Sequence, residues 1–329
     1  MKALFIGGTG VISSACSRLA VSRGIDLYLL NRGQTERPIE GARILHGDIR
    51  DRASVERALG DATFDVVANF LNFVPEHVEA DIALFRDRTG QYIFISSASA
   101  YQKPLSGLPI TESTPLRNPF WAYSRNKTAC EERLIEAYRE HEFPITIVRP
   151  SHTYDRTKVP LLGHYTDIDR MRKGKKVMIH GDGTSLWVLT HHEDLAKAFV
   201  GLLGNPHAIG QAFHITSDEV LTWNQIYTIL GHAAGVEPQI VHVPSDLIAA
   251  FDPEMGAGLL GDKAHSVIFD NRKIKRLVPD FVASIPFSQG AREIVAWYDA
   301  DPARQVVNER VDRLIDRIIA AQEAVRPVA

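Results

Sequence analysis

The stretch KALFIGGTGVIS, residues 2–13, sets the fold expected for the whole chain. It begins with an apolar run of the β type, continues into a glycine-rich turn, and ends where helix-forming residues start. The turn spaces Gly7, Gly10 and Ser13 as G-x-x-G-x-x-S. Glycine allows a tight turn and a close approach of the backbone to a ligand, and the N-terminus of the following helix favours an anion. We therefore predict a phosphate-binding unit of strand, turn and helix.

Short apolar runs alternate with helical patterns along the first half of the chain. Several runs are apolar throughout, which is typical of strands that are buried on both faces. Repeats of this kind predict a parallel, doubly wound α/β sheet with right-handed crossovers. The predicted strands cover residues 2–6, 26–30, 43–45, 65–68, 92–96 and 145–148, and the predicted helices cover residues 13–23, 53–59, 74–88 and 123–140.

The regular alternation ends after Pro150. Loop-like sequence follows, and then one helical pattern and one strand-like run, which indicate a second, smaller lobe. These segments are residues 151–163, 165–172 and 176–179. Later segments resemble the sheet again, namely residues 187–190, 192–203 and 212–216. We therefore expect the two lobes to interleave and not to meet at a single boundary.

The length of 329 residues is about twice that of an average domain. The expected architecture is a Rossmann-type, doubly wound parallel sheet with a smaller, interleaved C-terminal substrate-binding lobe. In residue numbers, the dinucleotide-binding domain covers 1–155 with 187–216 returning to it, the substrate lobe covers 156–186 and 217–300, and a C-terminal helical extension covers 301–329. In the last helical pattern, residues 306–324, apolar residues form one stripe. That stripe packs on the chain's own body or contacts a second subunit.

Composition and charge exclude several classes of protein. The 37 Lys and Arg residues nearly balance the 40 Asp and Glu residues, for a formal net charge of −3. The chain therefore lacks the positive field of proteins that bind nucleic acids or anionic membranes. No apolar run approaches the roughly 20 residues that span a bilayer, and the first run is too short for a secretory signal. Cys16 and Cys130 have neither metal nor disulfide spacing, so we expect a cytoplasmic protein.

The end of the second predicted strand bears on which dinucleotide binds. A dinucleotide fold usually carries an acidic residue there, which bonds the adenosine ribose and repels a 2′-phosphate. This chain has Asn31 and Arg32 instead, so NADP is expected in preference to NAD, which is the alternative. Arg32 could equally stack on adenine or lie in solvent. Asp48 and Ile49, after the third strand, are candidates for contact with the adenine.

The sequence YSRNK places Tyr123 and Lys127 four residues apart at the start of a long predicted helix. Residues at this spacing lie above one another on one helix face. A phenol, with a pKa of about 10, is a poor base at neutral pH, but an adjacent ammonium group favours the phenolate. Tyr123 is therefore a candidate proton acceptor for a substrate hydroxyl. The preceding strand ends in the serine-rich stretch 96–99, whose hydroxyls could hold the reacting oxygen.

Together these motifs resemble the extended short-chain dehydrogenase/reductases, in particular the NAD-dependent epimerase/dehydratase family. The resemblance extends over nearly the whole chain, because it includes four later motifs. These are residues 148–150, 181–183, 191–196 and 270–273. It implies that Tyr123 is the catalytic acid/base, that Lys127 lowers its pKa and binds the nicotinamide ribose, and that Ser97 bonds the substrate oxygen. Hydride transfer to or from the nicotinamide would change the oxidation state of the substrate.

The motifs and the resemblance together predict the other contacts. Cofactor contacts are expected at Gly7, Gly8, Thr9, Gly10, Val11, Ile12, Asn31, Arg32, Asp48, Ile49, Asn69, Phe70, Leu71, Tyr123, Lys127, Pro150 and His152. Substrate contacts are expected at Asn72, Ser97, Ser99, Tyr123 and Trp187. The expected partner is a small-molecule substrate, with no nucleic acid and no membrane. The family also suggests a homodimer through the helix pair beside the active site.

Two departures from the family narrow the expected reaction. Sugar-nucleotide 4,6-dehydratases carry an Asp-Glu pair where this chain has Ala98 and Ser99, which disfavours a dehydratase. UDP-sugar epimerases carry an arginine for the diphosphate where Trp187 stands, which puts a UDP-sugar in doubt. Trp187 either stacks on a ligand ring or fills the core. Three cations are candidates to replace the missing charge and are otherwise surface residues, namely Arg156, Lys158 and Lys263.

The leading expectation is an epimerase that acts on a sugar or sugar nucleotide through a transient ketone. The alternative is an NADP-dependent ketoreductase or dehydrogenase that acts on a small, non-nucleotide alcohol or carbonyl compound. A third hypothesis is a non-catalytic relative that binds protein or RNA. The intact Ser97, Tyr123 and Lys127 argue against it.

The histidines and the basic residues have simple interpretations. Five histidines match no familiar metal-ligand spacing, and the adjacent His191 and His192 would face opposite sides of a strand, so no metal is expected. The five are His152, His164, His180, His191 and His192. The one strong basic cluster, residues 170–176, is expected to be a solvated helix end and not a nucleic-acid patch.

Overall fold

Seven parallel strands form the central sheet of the computed structural model, in which residues 1–33 and 38–324 are described. Every strand predicted in the first half belongs to this sheet and begins at, or one residue after, the predicted position. In chain order the strands are β1 (Lys2–Ile6), β2 (Asp26–Asn31), β3 (Arg43–His46), β4 (Val66–Asn69), β5 (Tyr92–Ile95), β6 (Ile145–Pro150), β7 (His152–Tyr154), β8 (Lys176–His180), β9 (Leu186–Trp187), β10 (Leu189–His191), β11 (Gln211–Ile215), β12 (Leu221–Thr222) and β13 (Gln239–Val243).

The helices follow the predicted pattern in the first half and add several short ones in the second. In chain order they are α1 (Val11–Ser22), α2 (Arg52–Leu59), α3 (Pro75–Phe85), α4 (Ala122–His141), α5 (Tyr165–Arg172), α6 (His192–Leu202), α7 (Trp223–Ala233), α8 (Ser245–Phe251), α9 (Pro253–Gly258), α10 (Arg272–Leu277), α11 (Phe287–Asp299) and α12 (Glu309–Ala324). A π-helical turn over Leu259–Lys263 follows α9.

The strand order in the central sheet is β11-β6-β5-β4-β1-β2-β3. The chain runs from β1 outward to β3, returns to place β4 on the other side of β1, and then builds β5, β6 and β11 away from it. This reversal makes a crevice at the carboxyl ends of β1 and β4, where open α/β sheets bind ligands. The order confirms the predicted doubly wound fold.

Helices cover both faces of the sheet, which explains why several of its strands are largely apolar. Phe5 and Leu29 belong to a core shared with α1 and α6, whereas Leu4 and Phe94 belong to a core shared with α3 and α4. Successive residues of a strand point to opposite faces. A strand that is buried on both faces therefore carries apolar residues at most of its positions.

The described part of the second lobe contains short two-stranded sheets. β7 pairs with β10, β8 with β13, and β9 with β12. The predicted return of residues 187–190 to the central sheet is therefore wrong, because these residues fall in β9 and β10. β11, at the position predicted as 212–216, does pair with β6. The exact division of the chain into lobes stays a prediction.

The C-terminal helix α12 packs on the chain's own body. Leu314 and Ile318 are buried against residues of β8, β13 and α8, and Val311 packs at the edge of the same cluster. The helix begins at residue 309, whereas the pattern predicts a start at 306. The end of the predicted extension, residues 325–329, lies outside the described residues.

The prediction that the basic run 170–176 is a solvated helix end agrees with the exposed residues 173–176 but is wrong for Arg170. Arg170 is buried, and its guanidinium bonds the carboxylates of Asp312 and Asp316 in α12. Lys175 of the same run pairs with Asp312 at 2.9 Å. These acids offset much of the positive charge of the run, and the ion pairs hold α12 against the second lobe.

Cys16 and Cys130 are buried free thiols. Burial raises the pKa of the Cys130 thiol to about 11, so this group stays protonated at neutral pH. Within the described ranges, no helix has both the length and the apolar character needed to cross a membrane.

Candidate active site

Hydroxyl groups of α1 close the glycine turn that follows β1. Gly7 has a φ of +95°, a left-handed conformation that favours glycine. Ser13, at the third glycine position, accepts a hydrogen bond from the N–H of Gly10 at 2.8 Å and donates one to the Gly7 carbonyl at 3.1 Å. Ser17 donates a hydrogen bond to the Gly8 carbonyl at 2.8 Å. The departure from glycine at position 13 therefore stabilises the turn.

The space in front of the turn fits a pyrophosphate group. Among the described residues, a Cβ added to Gly10 would meet the Ser13 hydroxyl at 3.4 Å and no closer atom, so the backbone is open there. The first N–H groups of α1, a helix of 12 residues, have no acceptor within the helix and lie at the positive end of its dipole. Such a site binds an anion without a basic side chain.

Gly10→Ala is expected to weaken dinucleotide binding by about tenfold or more, since the added methyl group occupies the space where the phosphates approach the backbone. The φ of Gly10 is −78°, which alanine adopts freely, so the melting temperature should be unchanged. Isothermal titration with NADP and NAD measures the effect. Gly107→Ala is the control, because a Cβ at this exposed position has no neighbour within 4 Å. Equal affinity in the two variants would refute the assignment.

The residues predicted for the adenosine end lie together where β2 and β3 end. The Asn31 side chain accepts a hydrogen bond from the N–H of Gly33, and its carbonyl accepts one from the N–H of Gly47. Arg32 is exposed. The Asp48 carboxylate accepts a hydrogen bond from the N–H of Arg50 and so shapes its own loop. Ile49 packs at the edge of the core next to α2.

The predicted residues that follow β4 have different positions. Phe70 lines the cavity described below and packs on Phe5 and Phe199. Leu71 is exposed and lies over Gly7, because a Cβ on that glycine would be 2.8 Å from the Leu71 side chain.

Asn69 and Asn72 are buried in a polar network and do not line the cavity. The carboxamides of both donate to the Asp81 carboxylate, at 2.5 and 2.7 Å, and Asn72 also bonds the Tyr92 hydroxyl at 2.9 Å. The prediction that the Asn72 side chain contacts the substrate therefore needs correction, because its polar atoms are used within the protein. The network instead fixes the Asn72 backbone carbonyl, which accepts a hydrogen bond from Lys127.

The predicted catalytic residues line one cavity of about 390 Å³ at the carboxyl ends of the central strands. Predicted residues that line it are Ile12, Phe70, Ser97, Ser99, Tyr123, Lys127, Pro150, His152 and Trp187. The glycine turn and the adenosine end contribute only Ile12 to these walls. The cavity is therefore where the reactive end of a bound dinucleotide and its substrate would meet.

Ser97 and Tyr123 both line this cavity, and their side chains interact. Burial raises the pKa of Tyr123, a hydrogen bond with Ser97 partly offsets this rise, and the nearby Asp262 carboxylate adds to it. The hydroxyl chain continues inward, since Ser97 bonds Ser99 at 2.9 Å and Ser124 donates to Ser99 at 2.8 Å. Ser99 lines the cavity, and its hydroxyl also holds Ser97 in place. Its contact with a substrate stays a prediction.

The Lys127 ammonium group lies below Tyr123 on the same helix face. It donates hydrogen bonds to the carbonyls of Asn72 and Ile95, and its nitrogen is 5.8 Å from the centre of the Tyr123 ring. Burial lowers the pKa of Lys127 to about 8, so the group is mostly protonated at pH 7. It can therefore stabilise a Tyr123 phenolate electrostatically.

The cost of burying this charge should appear as a pH dependence of stability. The pKa of Lys127 is about 8 in the folded chain and about 10.4 in an unfolded chain, so the cost is full below pH 8 and disappears as pH rises towards 10.4. We expect the Lys127→Met protein to have a larger free energy of unfolding than the wild-type protein at pH 7. This difference should fall by about 2–3 kcal/mol by pH 10. Urea unfolding at both pH values measures it. A difference independent of pH would contradict this.

Trp187 fills the core and also forms a wall of the cavity. It is buried, its indole N–H donates to Nδ1 of His152 at 3.2 Å, and its ring packs on Trp223 at 5.3 Å between centres. Lys158 and Lys263 line the cavity beside it, whereas Arg156 is exposed and lines a different groove. Of the three cations predicted to replace the missing arginine, two therefore lie at the site.

The histidines do not form a metal site in the part of the chain that the structure describes. Among all the residues that the structure describes, no group of three or more His, Cys, Asp or Glu side chains could hold a metal ion. The rings of His191 and His192 lie 4.9 Å apart, which corrects the prediction that they face opposite sides. The strand β10 ends at His191 and α6 begins at His192, so strand alternation does not apply there.

Asp262 and Trp121 are among the cavity residues that have no counterpart in the sequence predictions. Asp262 lies in the π-helical turn after α9, 3.9 Å from Lys263 and 3.9 Å from the buried Lys103. Trp121 packs on Tyr123 at 4.9 Å between ring centres. Trp121 reaches the site because it directly precedes α4, two residues before Tyr123, whereas Asp262 is distant in the chain and only the fold brings it there.

Comparison with known proteins assigns the family. Residues 3–216 match the model of the NAD dependent epimerase/dehydratase family. The chain belongs to this family. A chloroplast stem-loop binding protein of 41 kDa from Arabidopsis thaliana is 30% identical over 262 residues, which are 73% of this chain and 65% of that protein. A UDP-glucose 4-epimerase from Lactobacillus helveticus is 32% identical over 169 residues, which are 45% of this chain and 51% of that protein.

A solved structure from the epimerase/dehydratase family shows the same fold. The dTDP-glucose 4,6-dehydratase from Bacillus anthracis, in complex with NAD, superposes with a TM-score of 0.73 over 92% of this chain and 98% of its own. The two sequences are 18% identical, so the likeness extends to the fold and not to the reaction. The chain spans 65% and 51% of the length of the two relatives above.

Proposed function

We propose that this protein is an NAD(P)-dependent epimerase that acts on a secondary hydroxyl of a sugar or sugar derivative through a transient ketone. The observation that carries the proposal is the set Ser97, Tyr123 and Lys127, which lies in one cavity beside the glycine turn. The glycine turn, together with Ile12, Phe70 and the other predicted cofactor contacts, would hold the dinucleotide. When bound, this cofactor supplies hydride acceptance and donation.

The residues of the cavity perform the proton chemistry in this proposal. Ser97 donates a hydrogen bond to the substrate oxygen and orients it towards Tyr123. The Tyr123 phenolate accepts the hydroxyl proton as the carbon is oxidised and returns it when the ketone is reduced. Lys127 stabilises the phenolate by its charge, since its nitrogen is held by two backbone carbonyls close to the ring.

Epimerisation is favoured over dehydration because the family's second proton-transfer acid is absent. Ala98 and Ser99 stand in its place, and Ser99 is already bonded to Ser97 and Ser124. The cavity carboxylate of Asp262 lies near two lysines and belongs to a different wall. An epimerase then needs only that the ketone rotates in the cavity and presents its other face to the hydride donor before it is reduced.

A reductase or dehydrogenase that acts on a small, non-nucleotide alcohol is the second candidate. It is favoured by Trp187, which is buried where UDP-sugar epimerases place a diphosphate-binding arginine. The two candidates differ in net redox change. An epimerase forms a stereoisomer with no net change in the near-ultraviolet absorbance of the nicotinamide, whereas a dehydrogenase changes that absorbance in proportion to product.

A non-catalytic, RNA-associated role is the third hypothesis, and the name of the Arabidopsis relative bears on it. Incubation of the protein with NADP or NAD and a panel of sugars, followed by chromatographic analysis of stereoisomers, tests the leading proposal. Formation of an epimer supports it, and net oxidation supports the dehydrogenase. Tyr123→Phe with unchanged activity and persistent RNA binding would favour the third hypothesis. A homodimer through the helix pair beside the active site and a cytoplasmic location stay predictions.

The choice of cofactor depends on Arg32 in this proposal. Arg32→Ala is expected to weaken NADP binding by about tenfold and to leave NAD binding unchanged, because only NADP offers a 2′-phosphate for the guanidinium. Titration calorimetry with both dinucleotides measures the difference. Arg23→Ala, an exposed arginine near the far end of α1, is the control. A wild-type preference for NAD would overturn the expectation.

A further inference from the structure

Lys158 and Lys263 form a positively charged neck beside the catalytic cavity. Both residues line the cavity of about 390 Å³ that contains Tyr123, and both also line an adjacent cavity of about 250 Å³. His152 is shared by the two cavities in the same way. A ligand that reaches from Tyr123 into the second cavity must therefore pass the two ammonium groups.

The charge of this neck is only partly compensated by the protein, through Asp262 at 3.9 Å from Lys263 and through Asp155 near Lys158. Burial lowers the pKa of Lys158, Lys263 lowers it further, and Asp155 opposes the shift. Burial also lowers the pKa of His152, as do Lys263 and Lys158. Because Lys158 and Lys263 line the same two cavities, their ammonium groups repel each other, and an anion placed between them would relieve that repulsion.

The carboxylates near the neck do not provide that anion. Asp262 lies 3.9 Å from Lys263 and equally 3.9 Å from Lys103, which is buried and forms no hydrogen bond through its ammonium group in the described structure. One carboxylate thus faces two lysines at a distance too long for a hydrogen bond. Glu254 of the second cavity is exposed, where water and salt screen it.

The size and the walls of the two cavities argue against a nucleotide. A volume of 390 Å³ is at the low end of the range for ligand cavities, and part of it serves the reactive end of the cofactor. Trp187 and Trp223 form aromatic walls, and the second cavity is otherwise mostly apolar, with Leu161 and Met255 among its residues. A small ring with one anionic substituent fits this arrangement.

We propose that the substrate is a small, non-nucleotide sugar or polyol that carries one anionic group, and that Lys158 and Lys263 bind this group while the reacting hydroxyl lies against Tyr123. The proposal rests on the function proposed above and names its substrate class. The shared chemistry of the anion is a carboxylate or phosphate oxygen accepting hydrogen bonds from two ammonium groups. The lysines thereby select the substrate and orient its ring in the catalytic cavity.

The test is calorimetric binding to the full-length protein saturated with NADP or NAD, with glucuronate, glucose 6-phosphate, glucose and UDP-glucose as probes. At least one of the two anionic monosaccharides should bind about tenfold or more tightly than glucose. Lys158→Met and Lys263→Met should each remove that advantage without changing the affinity for glucose, and Lys263→Arg should retain most of it. Lys173→Met, an exposed lysine of the same lobe, should behave as wild type.

Three results would overturn the proposal: equal affinity for glucose and for both anionic probes, no effect of either methionine variant in a protein with the wild-type melting temperature, or tighter binding of UDP-glucose than of both anionic probes. The comparison of glucuronate with glucose 6-phosphate distinguishes the two kinds of anion. Binding is measured without turnover, so it separates this inference from the proposed function. Lysine-dependent binding with no turnover of any probe would support the anion site and refute the proposed epimerase activity. Turnover without a preference for anionic probes would support the proposed activity and refute the anion site.

Discussion

Tyr123→Phe should reduce turnover by between about 10²-fold and about 10⁴-fold, the range that a positioned acid/base contributes. The substitution keeps the ring, which packs on Trp121, and removes only the hydroxyl that accepts the substrate proton. Dinucleotide affinity should change little, because the substitution removes a single hydroxyl from the cofactor contacts and leaves the glycine turn intact. Turnover is measured with any sugar that the wild-type protein converts, and the dissociation constants for NADP and NAD are measured alongside it.

Tyr138→Phe is the matched control for this experiment. Tyr138 lies in the same helix, α4, but its ring is 38% exposed and packs beside Gly210, outside the cavity. Removal of the Tyr138 hydroxyl should leave turnover unchanged. A Tyr123→Phe protein with more than about a tenth of wild-type turnover would show that another group transfers the proton.

Glu131→Gln should lower the free energy of unfolding by about 3–5 kcal/mol, the cost of leaving a buried charge without its partner. Glu131 of α4 and Arg149 of β6 are buried, and their side chains meet at 2.5 and 2.9 Å. Glutamine keeps the shape and removes the negative charge, so the guanidinium stays in the core unpaired. Ser96 and Tyr101, which bond the same pair, cannot replace the charge.

Glu136→Gln in the same helix provides the comparison. Glu136 pairs with Arg133 at 2.6 Å, but the two side chains are 51% and 32% exposed. Exposed pairs contribute little, so the loss should be less than about 1 kcal/mol. Urea denaturation of the two variants gives both numbers. If the two variants lost similar free energies of unfolding, burial of the Glu131–Arg149 pair would add nothing to its contribution to stability.

The sheet was predictable because burial on both faces leaves a simple signal. The strands from β1 to β6 have four to six residues each, and β1, β4 and β5 are almost wholly apolar. Such runs separated by helical patterns point to a parallel sheet. The glycine turn and the Tyr123 motif were predictable because their residues are neighbours in the chain. Their chemistry depends on a short spacing that the local helix or turn preserves.

The second lobe was less predictable because tertiary pairing, and not local pattern, builds it. β9 and β12 contain two residues each, too few to show alternation, and the run at 187–190 was assigned to the wrong sheet. Arg170 appeared solvated because its partner, Asp312, is 142 residues away in the chain. Asp262 reaches the cavity through a π-helical turn that no sequence pattern marks.

Calorimetric titration of the protein with NADP and with NAD tests the central claim, that the glycine turn binds a dinucleotide beside the Tyr123 cavity. The protein, freed of any retained nucleotide, should bind one equivalent of dinucleotide, with NADP tighter than NAD. Gly10→Ala should lose this binding at an unchanged melting temperature. If neither dinucleotide binds the wild-type protein, the proposed oxidation and reduction at Tyr123 is contradicted.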